Sequence, residues 1–161
     1  MKKTRHIVAA LLAAGMMLAL VGCGNKEKTV TLRADLSEKL GVDMPVTDTM
    51  TLTAKGDTIQ QQKEVIEFDF SDTDERTKDA YIAFYDNAFA SMTQDIDGIT
   101  FSSKTYGSIY SIEITIDYTD SNTIQAASDA GLFEIENEFI NKFSLKATQE
   151  DLIASGYTVV E

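Results

Sequence analysis

From Ile109 to Tyr118 the residues alternate without a break, with Tyr110, Ile112, Ile114, Ile116 and Tyr118 on one side and Ser111, Glu113, Thr115 and Asp117 on the other. A strand turns successive side chains to opposite faces, so this stretch demands a sheet with one apolar and one wetted face. A sheet of that kind is antiparallel in character and needs a helix over its apolar side. The chain supplies one. Tyr81, Phe84, Tyr85, Ala88, Phe89, Met92 and Ile96 recur at steps of three and four, which predicts a long helix from Asp74 to about Ile96. Ser71 with Asp74, or Asp72 with Glu75, has capping-box spacing ahead of it, and Asp97-Gly98 ends it.

Other segments extend the pattern. Thr29 to Ala34 reads as a first strand, and Thr47 to Lys55 as a second with Met50, Leu52 and Ala54 on one face. Between them Gly41 and Pro45 indicate a loop or an irregular hairpin. Lys55-Gly56-Asp57-Thr58 makes a tight turn into a return strand, Ile59 to Phe70, whose apolar register changes near Val65 and Ile66 as at a bulge. Ile99 to Tyr106 is a strand, and Gly107-Ser108 turns it into the alternating one. Toward the C-terminus, Thr123 to Ala130 reads as a short helix, Leu132 to Asn141 fits either type, and Phe143 to Lys146 reads as a short edge strand. Thr148 to Asp151 has capping spacing for a helix through Ser155, Gly156 suits a left-handed C-cap, and Tyr157 to Val160 forms a last strand. The expected class is α+β: a mainly antiparallel sheet, one long helix packed on one face, short C-terminal helices, and a polar, threonine-rich opposite face.

The N-terminus reads differently. Met1 to Arg5 carry three positive charges, Ile7 to Val21 are apolar or small, and Leu20-Val21-Gly22-Cys23 closes the segment as a lipobox. The apolar run has the length of a secretory h-region and is shorter than the ~18–20 residues that cross a bilayer. Residues 1–22 are therefore expected to be a cleaved lipoprotein signal peptide, with the cut between Gly22 and Cys23. Residues 23–28 are then a lipid-anchored tether and 29–161 one globular domain. A diacylglyceryl group on the Cys23 sulfur, with acylation of the freed amine, supplies the two or more chains that stable anchoring requires. The expected location is the extracytoplasmic face of the cell membrane.

Cleavage would remove 22 of the 161 residues, including Lys2, Lys3, Arg5 and the single histidine, His6. The remaining 11 basic and 26 acidic residues give a formal charge of −15. Such a domain repels nucleic acid, and its mean charge should hold it off anionic head groups over a Debye length of ~8 Å. With its one cysteine acylated and no histidine, it has no means of forming a disulfide, a His-based triad or a Cys/His zinc site. No cofactor is implied.

Some clusters could carry chemistry. Asp69, Asp72, Asp74, Glu75 and Asp79 are dense but lack EF-hand order, since Asp74 stands where glycine and Ala80 where glutamate would be needed. They suit helix capping. Asp117, Asp120 and Asn122 offer oxygen ligands for a hard cation or, alternatively, a turn. Glu134, Glu136 and Glu138 alternate with Phe133, Ile135 and Phe139, either as a solvated face or as a docking surface for an exported peptide or a cationic wall component. Tyr106, Tyr110 and Tyr118, with Tyr81 and Tyr85, form either an aromatic lining for a ligand or part of the core.

Four segments together resemble the YehR-like bacterial lipoproteins, a family whose domain is of unknown function. They are the hairpin Thr51 to Ile59, Gly98-Ile99-Thr100 after the long helix, Ile114 to Tyr118, and the run from Leu145-Lys146 through Asp151-Leu152 to Gly156-Tyr157. The resemblance implies a small α+β lipoprotein domain outside the cytoplasm and carries over no catalytic residue. The function expected is a non-catalytic binding or interaction module at the cell envelope, with an envelope protein, peptide or cationic wall component as partner. A carboxylate-only calcium-binding lipoprotein is the alternative, and an Asp/Glu-pair hydrolase a third class.

Overall fold

A computed structural model describes residues 26–133 and 142–160. Strand β1 (Glu27–Asp35) leads through a single helical turn, α1 (Ser37–Leu40), to β2 (Val46–Lys55) and β3 (Thr58–Asp69). The long helix α2 (Glu75–Thr93) follows, then the hairpin of β4 (Ile99–Tyr106) and β5 (Ile109–Asp117). Helices α3 (Ser121–Asp129) and α4 (Leu145–Ala154) precede a short β6 (Thr158–Val160). The strands form one six-stranded sheet in the order β4-β5-β3-β2-β1-β6, with antiparallel neighbours throughout. The α+β expectation holds, and so do the long helix and the threonine-rich outer face.

The alternating strand dictates the layering. Tyr110, Ile112, Ile114 and Ile116 are buried and stand in register with Phe68, Ile66, Glu64 and Gln62 of β3. Helix α2 lays Tyr85 and Phe89 on this face, with Tyr85 4.7 Å from Phe68 and Phe89 stacked on Phe101 at 5.8 Å between ring centroids. Each such side chain contributes ~1.5–3 kcal/mol by leaving water. Under α3 and α4 a second aromatic group, Tyr118, Phe133 and Phe143, closes the rest of the apolar face. The outer face carries Thr29, Thr31, Thr47, Thr49, Thr51 and Thr53 from two adjacent strands. Ser111, expected to face water there, is flanked in register by Glu67 and Lys104 and is buried.

Several local expectations are corrected. The cap of α2 is Asp74 itself, which accepts from the Thr77 amide (3.1 Å) and hydroxyl (2.7 Å), so neither Ser71 nor Asp72 caps it. Asp69 instead accepts from the Ser71 amide and hydroxyl, closing the turn before the helix. Phe143 to Lys146 is not a strand: Ser144 makes one isolated bridge to Thr58, caps α4 through its hydroxyl, and the helix begins at Leu145 rather than Thr148. The reason lies far away in sequence. The Asp57 carboxylate accepts from the Ser144 hydroxyl (2.6 Å) and the Lys146 amide (2.9 Å), fixing this helix start to the β2–β3 turn. The bulge falls at Gln60, where Thr53 pairs with Gln61 but Ala54 with Ile59, and not at Val65. Strand β1 starts at Glu27, which shortens the expected tether by two residues.

Gly98 joins α2 to β4 at φ +80°, and a Cβ there would meet Thr123 Oγ1 at 2.6 Å. Thr123 in turn donates to the Asp97 carbonyl (2.8 Å). Only glycine admits this close approach of α3 to the start of β4.

Candidate functional site

The apolar face holds a polar chain that crosses four segments of sequence. Asp48 of β2 and Glu64 of β3 both point inward and are essentially inaccessible, at 0% and 1% exposure. In the register Asp48 opposes Ile66 and Glu64 opposes Met50, so the two acids are diagonal neighbours on one face. Their carboxyls lie within hydrogen-bonding reach of each other. From one side the Tyr157 hydroxyl donates to Asp48 Oδ2. From the other, the Tyr118 hydroxyl donates to Gln62 Oε1 (3.0 Å) and Gln62 Nε2 donates to Glu64 Oε2 (3.2 Å).

Both ends of this chain thus donate inward, and they converge on two acceptors. Asp48 Oδ1 and Glu64 Oε1 receive no donor from any described residue. Two facing carboxylates would repel in a dry interior, whereas one proton between them turns the contact into a charge-assisted hydrogen bond. Burial pushes Asp48 up to about 6, against the lowering effect of the Tyr157 and Glu64 hydrogen bonds and of the Lys39 charge. Burial, then the Asp48 charge, pushes Glu64 well above the usual carboxylate range. The proton belongs to the pair as a unit, with burial and the neighbouring charge raising Glu64 the more strongly of the two. The pair is a structural clamp with a titratable proton: through Tyr157 it secures the junction of α4 and β6, and through Gln62 and Tyr118 the end of β5. Sealed from solvent, it has no access to a substrate.

Sequence reasoning missed Asp48, Gln62, Glu64 and Tyr157 as a group, although a signal existed. Continuing the inward phase of Phe68 and Ile66 back along β3 places Glu64 and Gln62 inside, and the phase of Met50 places Asp48 inside. Polar residues at core positions imitated a change of register.

The residues singled out beforehand are dispersed. Tyr106 is exposed on the outer face, its hydroxyl donating to Glu67 and Lys104 Nζ 5.8 Å from its ring centroid. Tyr110 is buried on the inner face and donates to Asp86 of α2 (2.6 Å), which also accepts from Ser103 (2.6 Å). Tyr118 belongs to the carboxyl chain just described. These three rings therefore do not line one groove. Asp117 Oδ1 accepts from the Thr119 amide and hydroxyl, and Asp120 caps α3 by accepting from the Asn122 amide, so both carboxylates serve the turn. Among the described residues no group of three or more His, Cys, Asp or Glu side chains is placed to hold a metal. Glu134, Glu136 and Glu138, like Gly22 and Cys23, lie outside the described residues.

The outer face is the other notable surface. Lys63 and Glu113 pair across β3 and β5 at 2.8 Å, and the Thr31 and Thr51 hydroxyls meet at 3.3 Å. Around them spreads a two-dimensional array of hydroxyls with Tyr106 at its β4 end.

A one-sided antiparallel sheet whose long helix packs on the apolar face, stapled by a buried acid pair, defines a small α+β domain whose accessible chemistry lies on its surface. The chain belongs to the family described as "Protein of unknown function (DUF1307)", whose model matches residues 29–158. The NMR structure of the Escherichia coli YehR protein is similar, with a TM-score of 0.59 and 18% identity over 86% of this chain and 94% of that one. An NMR structure of a protein from Streptococcus pneumoniae TIGR4 is also similar, with a TM-score of 0.53 and 16% identity over 91% of this chain and 92% of that one. At these identities the likeness is one of fold. No curated protein matches the chain.

Proposed function

We propose that this protein is a lipoprotein anchored through Cys23 on the extracytoplasmic face of the cell membrane, where it binds a partner through the open face of its sheet and catalyses no reaction. The observation that carries the reading is the order of features at the N-terminus: basic residues, an h-region, Gly22 and Cys23, with β1 opening only four residues later at Glu27. Among the described residues no helix is long and apolar enough to cross a membrane. Support for a binding role comes from the arrangement of polar groups. Among the described residues the Asp48–Glu64 pair is sealed inside, whereas hydroxyls, Lys63, Glu113 and Tyr106 are presented outward. A flat array of this kind suits an envelope protein or an extended peptide.

The test is mass spectrometry of the native N-terminal peptide together with fractionation of a Cys23→Ser variant. A diacylglyceryl-modified Cys23, and loss of the variant from the membrane fraction, are expected. An intact Met1 or an unmodified Cys23 thiol overturns the anchor. For the binding face, a photo-crosslinker at Thr51 should capture an envelope partner that one at Asn87, on exposed α2, does not. Equal capture from both positions removes the face from consideration.

A further inference from the structure

We propose that the lysine-bearing corner beside the tether docks on an anionic lipid surface and sets the tilt of the domain; this rests on the Cys23 anchor. Strand β1 begins at Glu27, and four residue steps from Cys23 reach at most ~14 Å. The part of the fold beside Glu27 therefore faces the bilayer closely. Glu27 pairs with Lys55, Lys28 with Ala54, and the Gly56 amide donates to the Lys26 carbonyl. Across the same turn, Asp57 holds the start of α4, which brings Lys142 and Lys146 to this corner. Lys26, Lys28, Lys55, Lys142 and Lys146 are all exposed. They are five of the 11 basic residues that follow Cys23, against 26 acidic ones over the same part of the chain. The described acids nearest them are Glu27, Asp57, Asp117 of β5 opposite Gln61, and, one turn along α4, Glu150 at 3.9 Å from Lys146. Asp57 is already committed to the Ser144 hydroxyl and the Lys146 amide.

The opposite corner of the same sheet end has the reverse sign. Asp95 and Asp97 precede β4, Asp117 ends β5, and Asp120 caps α3. No lysine or arginine occurs between Lys78 and Lys104, or between Lys104 and Lys142. Four interstrand steps, ~19 Å, separate the lysines of β1 from the acids before β4, whereas Asp117 pairs with Gln61 only three residues into β3. The β1 and β4 ends of the sheet therefore lie more than two Debye lengths apart at physiological salt and act separately on a charged surface. An anionic bilayer draws in the β1–β2–α4 corner and lifts the β4–β5–α3 corner. The mean charge of the domain, which alone would hold it off the surface, is overridden where the tether fixes the contact.

The experiment is residue-resolved lysine acetylation of the full-length lipidated protein. It is inserted in vesicles of phosphatidylcholine alone or of phosphatidylcholine mixed with phosphatidylglycerol, and flotation is scored in parallel. Lys39, Lys78 and Lys104 lie toward the other end of the strands, ~30 Å away, and serve as internal controls. Expected is about fivefold protection of the five corner lysines on the anionic vesicles relative to the neutral ones, abolished by high salt. A Lys28→Gln, Lys55→Gln, Lys146→Gln variant should lose the remaining protection at Lys26 and Lys142. Equal labelling on the two vesicles, with flotation on both, overturns the docking while leaving the anchor standing. Flotation on neither overturns the anchor, and this proposal with it.

Discussion

Replacing Glu64 by glutamine tests the shared proton directly. The unfolded chain ionises Asp48 near 3.8, whereas the fold holds it up to about 6, a difference of ~2 pH units and hence ~3 kcal/mol. Because the folded state binds the extra proton, stability is full below the unfolded value and falls as pH rises toward 6. Glu64, raised further, keeps its proton in the fold at neutral pH while the unfolded chain has lost it. Above pH 6 the wild type should therefore keep losing up to ~1.4 kcal/mol per pH unit until Glu64 ionises. In Glu64→Gln the amide donates permanently to Asp48 Oδ1 with no proton to lose. Asp48 then stands as a carboxylate with two donors and without a like charge beside it. Urea denaturation from pH 6 to 8 should give a falling line for the wild type and a nearly level one for the variant, which becomes the more stable of the two at pH 8. An infrared carboxylic-acid C=O band should be present at pH 7 in the wild type and absent in Glu64→Gln. Parallel slopes for the two proteins, or a wild type whose stability rises from pH 6 to 8, would refute the shared proton.

Other consequences are equally open to measurement. Asp35, Asp69, Asp74 and Asp117 are held below the usual carboxylate range by hydrogen bonds from Ser37, Ser71, Thr77 and Thr119. Their contribution is lost as pH falls below about 4, so a urea-midpoint profile should peak between their titration and that of the Asp48–Glu64 pair. Gly98→Ala should cost about 2 kcal/mol or more, because left-handed strain adds to the Thr123 contact. Gly41→Ala, at φ +64° with nothing within 4 Å, should cost only about 1 kcal/mol in the same assay. Asp57→Ala should lower stability by about 1–2 kcal/mol and speed amide exchange in α4 ahead of the rest of the fold, since it removes the acceptor for Ser144 and Lys146. Phe89→Ala, which opens the seam between α2 and β4, should cost about 3–5 kcal/mol by thermal or urea unfolding.

Legibility followed the range of the interactions involved. The Ile109–Asp117 strand, the Gly107–Ser108 turn and the body of α2 are written in periods of two and of three to four, and such periods survive in a single sequence. The start of α4 is not legible locally because Asp57, 87 residues before Ser144, chooses it. The register of β3 was misread because Gln62 and Glu64 stand where apolar residues were expected.

By itself the chain determined that a sheet with one apolar face must form under a long aromatic helix, and that no histidine follows His6 and no second cysteine accompanies Cys23. These follow from residue type and local spacing, which physics reads within a turn or a strand. Tertiary structure alone decided that Asp48 and Glu64 meet, because the hydroxyl that engages Asp48 comes from Tyr157, 109 residues away, and Gln62 is met by Tyr118, 56 residues away. It also gathered five lysines from three segments around the start of β1 and the β2–β3 turn, while the average charge of the chain remains strongly negative. Charges and buried hydrogen bonds act through space over a few ångströms, so their partners are set by the packed fold and leave no period in the sequence.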